Sequence, residues 1–189
     1  ETVTNTVGAV VDSGHFADKV ETAMTQARDG FETRRSASEA QGRIRGMGIG
    51  YHIKATFGAP EENIELRFEA DDTVTFTTGT QAIGQGHETS FPQIISDLLG
   101  VPTENIHYRA GDTDLIPKGG GHGSSRATFM AGTAIHMASE HIKAKGKRIA
   151  AGMLEAAEAD IEFRDGAFGV AGTDRAVDLM AVAAAARAA

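Results

Sequence analysis

Two glycine-rich stretches carry the residue types best able to do chemistry. The first, Thr78 to Glu88, reads Thr-Gly-Thr-Gln-Ala-Ile-Gly-Gln-Gly-His-Glu. An alternating apolar run stops there, Gly84 and Gly86 flank Gln85, and a helical pattern follows. Glycine lets the backbone take positive φ and lets a ligand approach closely, and the first N–H groups of a helix have no partner inside it. Such a turn favours a bound anion. By itself, Gly84-x-Gly86 is also explained by a plain strand-to-helix turn. The second stretch shifts that balance. After Asp112-Thr113-Asp114 come Gly119, Gly120, Gly121, His122, Gly123, Ser124, Ser125 and Arg126, then an alanine-rich helical pattern that takes in Thr128. Glycines, paired hydroxyls and a guanidinium ahead of a helix can donate many hydrogen bonds to phosphate or pyrophosphate oxygens. Two such turns suggest one long phosphorylated ligand held at two points.

Other chemistries fit less well. His87-Glu88 does not begin a zinc-binding His-Glu-x-x-His run, because position 91 is Phe91, and His136 and His141 are five apart and do not share a helical face. No metal ligand is assigned. Asp112 and Asp114 lack the later oxygen ligands of a calcium loop and read as turn-forming carboxylates. Gly123-Ser124-Ser125-Arg126-Ala127 misses the hydrolase elbow by one residue and follows a glycine loop instead of a strand, which leaves a serine hydrolase as a minor alternative. No Walker-type run is present to hold a nucleoside triphosphate.

The elements that must position these turns follow from periodicity. Phe16, Val20, Met24 and Ala27 predict a first helix, capped by Asp12 or Ser13, ended by Asp29-Gly30 and lying on a sheet edge. Residues 31–42 predict a short charged helix. From Ile44 to Phe57 a strand-like series interrupted by Gly46, Gly48 and Gly50 predicts a strand passing close to something bulky. Ile64 to Phe68 and Val74 to Thr77 alternate with period two around Asp71-Asp72 and predict a hairpin. Phe91, Ile94, Ile95, Leu98 and Leu99 share one face of a core helix closed by Gly100 and Pro102. Ile106 to Arg109 predict a short strand. One long helix follows Arg126, its apolar positions assigned to Met130, Ala134, Met137, Ile142, Ile149 and Met153, with Gly132 and Gly146 as weak spots or tight packing points. A second hairpin surrounds Arg164-Asp165-Gly166, and the segment from Val177 predicts a closing helix capped by Thr173 or Asp174.

Helices interspersed among mostly antiparallel strands predict an α+β fold, with a two-layer mixed sheet and packed helices. We assign residues 1–189 to a single domain, with 1–43 as a helical lead-in and 44–189 as the binding core. At 189 residues and 41% apolar content the chain can bury a substantial core. A formal net charge of -8 argues against nucleic acid or an anionic membrane surface. With no cysteine, the chain cannot by itself build a disulfide, an iron–sulfur cluster or a thiolate metal site. Neither a membrane span nor a secretory leader is evident, so the cytoplasm is the expected location. A first residue other than methionine and a closing alanine run suggest a piece of something longer.

The runs Gly79-Thr80-Gln81, Gly84-Gln85-Gly86-His87-Glu88-Thr89, Gly111-Asp112-Thr113-Asp114, and Ser125-Arg126 ahead of Ala131-Gly132 resemble one family in order and spacing. It is the molybdenum-cofactor-binding part of the large subunit of molybdenum hydroxylases, within the xanthine dehydrogenase and aldehyde oxidase superfamily. The likeness is strongest to the aerobic carbon-monoxide dehydrogenase type and runs from Asp12-Ser13-Gly14 to Val177-Asp178-Leu179.

That resemblance implies a molybdopterin cofactor with molybdenum, held by its pterin dithiolene and expected in the cytosine dinucleotide form. It places Gln85 at the catalytic centre, its amide donor meeting a molybdenum oxygen ligand, with Gly84, Gly86 and His87 beside the cofactor. It places Ser125 and Arg126 at the pyrophosphate. The commoner family pattern has glycine and serine where this chain has Ser124 and Ala127, which puts one phosphate contact in question. Ser124 or Thr128 could replace it. The resemblance further implies hydroxylation or oxidation of a small substrate (carbon monoxide, an aldehyde or a heterocycle) with oxygen from water. Electrons would pass to iron–sulfur and FAD centres on partner subunits, in an oligomer. The family's glutamate base and substrate loop do not occur here, so the chain is expected to be inactive alone. Two alternatives use the same residues or faces: a non-catalytic nucleotide- or phosphate-binding module, and an interaction scaffold.

Overall fold

The structure, a computed structural model, describes residues 2–4, 6, 8, 10–11, 14–52 and 61–188. The chain divides into two units, Glu1–Lys54 and Ala55–Ala189.

In the first unit β1 (Val3–Thr4) pairs antiparallel with β2 (Val10–Val11), and two helices follow, α1 (Phe16–Arg28) and α2 (Phe31–Glu39). The caps expected at Asp12 or Ser13 lie outside the described residues. His15 occupies the cap position without a side-chain bond to the helix backbone. Gly30, at φ 60°, turns the chain into α2, a conformation that costs glycine little. The chief packing partner of α1 is α2, not the expected sheet edge, and Phe16 meets Tyr51 edge-on at 6.4 Å. The expected strand from Ile44 is a second correction, since positions 44–52 form no ladder and positions 53–57 lie outside the described residues. Among the described residues a Cβ built on Gly46, Gly48 or Gly50 would meet nothing within 4 Å, so no close neighbour there accounts for these glycines. Strand propensity cannot act without a partner to take the backbone hydrogen bonds.

In the second unit the first predicted hairpin forms as read. β3 (Ile64–Phe68) pairs antiparallel with β4 (Val74–Thr78), in register from Ile64 opposite Thr78 to Phe68 opposite Val74. The Asp71 carboxylate accepts from the Thr73 hydroxyl at 2.7 Å and from its N–H at 3.3 Å. The next helix, α3 (His87–Leu99), crosses to β5 (Ile106–Arg109), which pairs parallel to β4. α3 ends at Gly100 with φ 69°, as its sequence implies. Crowding adds a second reason for glycine there, because a Cβ would sit 2.3 Å from the Gly166 nitrogen.

The long helix α4 (Arg126–Met153) packs on α3, and of its predicted apolar face Ile142 and Ile149 meet the core while other positions are displaced. Ala127, Ala131, Ile135, Ser139, Gly146 and Ala150 are buried, while Met137 and Met153 are exposed. Small side chains let the helices approach, and the space goes to larger groups opposite. At Gly146 a Cβ would lie 2.2 Å from the Phe168 ring, whereas Gly132 has only a loose neighbour at 3.9 Å.

β6 (Ile161–Arg164) and β7 (Ala167–Val170) form the second hairpin about Asp165 and Gly166, both at positive φ. The chain then adds β8 (Ala176–Asp178) antiparallel to β7 before α5 (Leu179–Ala188) begins. This corrects the closing segment. Its cap is Asp178, whose carboxylate accepts the Ala181 N–H at 2.7 Å, and Thr173 instead bonds within its own turn to Val170 and Arg175.

The fold is α+β, with the mixed sheet β3-β4-β5, the antiparallel sheet β6-β7-β8 and packed helices. Phe76, Phe91, Ile95, Leu99, Ile135 and Phe168 are fully enclosed in the core. Phe76 and Phe91 meet edge-on at 5.6 Å, tying β4 to α3. Burying a side chain of this size stabilises the fold by about 1.5–3 kcal/mol.

Candidate functional site

Parallel pairing of β4 and β5 decides where the glycine turns lie. Both strands end on the same side of the sheet, and each continues into a turn that opens a helix, α3 in one case and α4 in the other. Two helix N-termini, each with a partial positive charge, therefore lie at one end of the sheet, where the Arg126 N–H already donates to the Gly123 carbonyl at 3.3 Å. In sheets with parallel strands this is the end at which ligands bind.

The turns touch. A Cβ on Gly79 would sit 2.4 Å from the Gly119 α-carbon, and one on Gly119 would sit 2.7 Å from that of Gly79. No side chain fits at that crossing. A Cβ on Gly111 would lie 3.1 Å from the Gln81 amide nitrogen. Thr80, fully buried, donates its hydroxyl to Glu62 at 3.1 Å and lies 3.5 Å from the Gly121 carbonyl. The Tyr108 hydroxyl, at the end of β5, donates to the Thr80 carbonyl, and burial pushes that phenol above its ordinary range.

Within the first turn, Gly84 (φ 108°) and Gly86 (φ 79°) face open space, so a ligand can approach the backbone where a Cβ would otherwise project. Gln85 is exposed and closes on its own turn, donating to the Gln81 carbonyl at 2.9 Å and accepting from the Ile83 N–H. His87, the first residue of α3, is 5% exposed and stacks on Phe91 at 4.6 Å. Among the described residues neither of its ring nitrogens has a hydrogen-bond partner. Burial pushes the imidazole below the usual histidine range, with Glu88 opposing and His122 adding to the effect. A buried neutral ring with both nitrogens unsatisfied is costly, and a polar ligand at the turn would relieve that cost.

In the second turn Ser124 (φ 58°) and Ser125 (φ 59°) hold a left-handed conformation that side chains disfavour. Ser125 occupies the cap position of α4 without a side-chain cap bond. Thr128 is exposed on the first turn of α4, whereas Ala127 is buried. A serine at 127 would therefore point into the core, so its absence removes nothing from the loop surface. Arg126 is 4% exposed and its guanidinium is engaged by the protein: it donates to Glu62 at 2.7 Å, to the Gly121 carbonyl at 2.5 Å and to the Glu61 carbonyl at 2.6 Å. The Asp112 carboxylate accepts the Asp114 N–H at 2.9 Å, in keeping with its turn-forming role. Among the described residues no group of three acidic, histidine or cysteine side chains could hold a metal ion.

Glu62, and the contacts made by Thr80 and Tyr108, were not anticipated from the sequence. Their partners are remote along the chain, and nothing local marks them. A groove of about 630 Å³ between β3, α4 and α5 is lined by none of the turn residues.

Residues 23–189 match the molybdopterin cofactor-binding domain family. The chain belongs to that family. It corresponds to a part of the large subunit of molybdenum hydroxylases of the xanthine dehydrogenase type. The gamma subunit of the 6-hydroxypseudooxynicotine dehydrogenase complex of Paenarthrobacter nicotinovorans is 40% identical over 77% of this chain and 18% of its own length. The carbon monoxide dehydrogenase large chain of Afipia carboxidovorans is 33% identical over 88% of this chain and 23% of its own. Among solved structures, carbon monoxide dehydrogenase from Oligotropha carboxidovorans superposes with TM-score 0.63 at 31% identity, covering 95% of this chain and 25% of that one. Quinoline 2-oxidoreductase from Pseudomonas putida 86 gives 0.59 at 26% identity, covering 98% of this chain and 25% of that one. The chain thus spans about a quarter or less of the length of these relatives. Open glycine backbone at two helix entrances, exposed hydroxyls and a buried imidazole with no partner among the described residues are groups that fit a polar, phosphorylated cofactor.

Proposed function

We propose that the two turns grip one molybdopterin cofactor, probed from opposite sides, and that the protein is the cofactor-binding part of a molybdenum-dependent oxidoreductase. The single observation that carries this reading is the Gly79–Gly119 crossing, which brings two helix entrances together at one end of a sheet. Gly84 and Gly86 admit the cofactor to the backbone, and His87 offers it a ring nitrogen. Ser125, Thr128 and the N–H groups of the 119–125 loop serve its phosphates, with Ser124 shaping the turn. Gln85 is the catalytic residue in this reading. Its amide N–H₂ can leave the Gln81 carbonyl and donate to the cofactor, which a carboxylate could not do. When bound, the group supplies two-electron oxidation of a small substrate with oxygen from water.

We further infer a cytosine dinucleotide tail, iron–sulfur and FAD centres on partner subunits, oligomeric assembly and a cytoplasmic location. The chain by itself is proposed to be inactive. Among the described residues no helix is long and apolar enough to cross a membrane. Purified full-length protein should carry molybdenum and release a pterin nucleotide on denaturation. A plain nucleotide without pterin would favour the non-catalytic binding module, and absence of both molybdenum and pterin would remove the proposal.

A further inference from the structure

We infer that Arg126 is a positioning residue that acts through Glu62, and that the pair forms a buried clasp aiming the second turn at its ligand. The inference rests on the proposed cofactor site and changes the role expected of the arginine. Glu62 and Arg126 are separated by 64 positions, yet their side chains are 1% and 4% exposed and meet at 2.7 Å. The Glu62 carboxylate lies against the Arg126 guanidinium, so each buried charge has an opposite charge beside it. Burying either alone would carry a large desolvation cost.

The geometry shows what the clasp holds. The guanidinium lies against Gly120, where a Cβ would come within 2.5 Å of its carbon. It also takes the Gly121 carbonyl at 2.5 Å. No peptide bond among the described residues is cis. In a trans peptide the C=O and N–H point in opposite directions. Turning the Gly121 carbonyl inward therefore turns the His122 N–H outward, away from the arginine. Thr80 donates to the same Glu62 oxygen at 3.1 Å, which couples the first turn to the same anchor. Lys118 pairs with Glu61, and Asn63 donates to the Lys118 carbonyl at 3.3 Å, so the segment before β3 braces the loop at neighbouring points. A guanidinium engaged in this way serves a phosphate by presenting backbone donors.

A double-mutant cycle in the intact, cofactor-loaded enzyme tests this, using Glu62→Gln, Arg126→Met and the double variant. The readouts are molybdenum retained per chain after gel filtration, and amide exchange in cofactor-free protein. Each single change should lower retention about tenfold and the double should lose no more than about twofold beyond either, as for residues that work as one unit. Exchange of the 119–125 amides should quicken about tenfold more than that of the β6–β7 hairpin. If Glu62→Gln retains molybdenum fully while Arg126→Met loses it, or if the two losses multiply, the arginine is a direct ligand and the clasp is wrong. Equal acceleration in loop and hairpin would also overturn it, since that marks ordinary loss of stability. If the unaltered enzyme holds no molybdenum, the cofactor reading fails, and the exchange pattern alone then decides the clasp.

Discussion

The two glycine turns reach the same backbone conformation by different means. In the first, the positive-φ positions are glycines, Gly84 and Gly86, and the central side chain Gln85 is exposed and bonded only to residues within four positions of itself. In the second, Ser124 and Ser125 join Gly121 in the left-handed geometry, and the neighbouring Arg126 is tied to Glu61 and Glu62. Around Gln85 the first turn is relaxed and locally closed, while at its start Thr80 is tied to Glu62. The second stores strain and is held by distant contacts. Strain persists only where surrounding structure imposes it, and it gathers at functional positions. The comparison teaches that the hydroxyls of the second turn are kept despite their backbone cost, whereas the first turn can exchange its side-chain bonds for a ligand at little expense.

The largest expected effect breaks the crossing that joins the turns. Gly79→Ala would place a Cβ 2.4 Å from backbone of the other turn, and backbone cannot step aside as a flexible side chain can. We expect a loss of about 3 kcal/mol, at the upper end of overpacking costs, measured by urea denaturation. An unchanged midpoint would mean that the turns are not in contact. A smaller effect of opposite sign should follow Ser125→Gly. Relieving one strained residue should raise stability by about 1 kcal/mol while weakening cofactor retention, and a less stable protein would show that the serine conformation carries no strain.

Gln85→Ala should cost less than about 1.5 kcal/mol in stability, since its bonds are exposed and local. In the full enzyme it should nevertheless lower turnover, and unaltered kcat would remove Gln85 from the catalytic role. The smallest effect concerns pH. Because burial holds the His87 pKa below its ordinary value of 6.5, the unfolded chain binds this proton more readily than the folded one. Its contribution is therefore fully present above about pH 6.5 and is lost as the pH falls toward the lowered folded value. His87→Leu should flatten that acid-side decline in cofactor-free protein, and an identical pH profile would place the titration elsewhere.

Much of this molecule was legible along the chain. The hairpins about Asp71-Asp72 and Asp165-Gly166, the α3 stripe ending at Gly100 and the single long helix after Arg126 all rest on local periodicity or turn chemistry. The misreadings occurred where a neighbour decides. On an alanine-rich helix several faces are nearly equivalent, so the methionines drew the assignment while Ala131, Ile135 and Gly146 met the core. Ala176 to Asp178 become a strand because β7 offers them a partner. Residues 44–52 lack one and remain without a ladder. In the site, the glycines, serines and the order of the two turns were readable, and the family resemblance with them. The engagement of Arg126 by Glu62 was not, because a charge pair across 64 positions leaves no mark in either neighbourhood.

By itself the amino-acid sequence determined where the chain turns and which donors each turn carries, because glycine, serine and apolar spacing act within a few residues. Only the tertiary structure decided that β4 and β5 run parallel, that Gly79 crosses Gly119, and that a buried carboxylate claims the arginine. Those outcomes depend on burying apolar faces and neutralising charge among segments far apart in the chain, a condition satisfied only when the whole core has assembled.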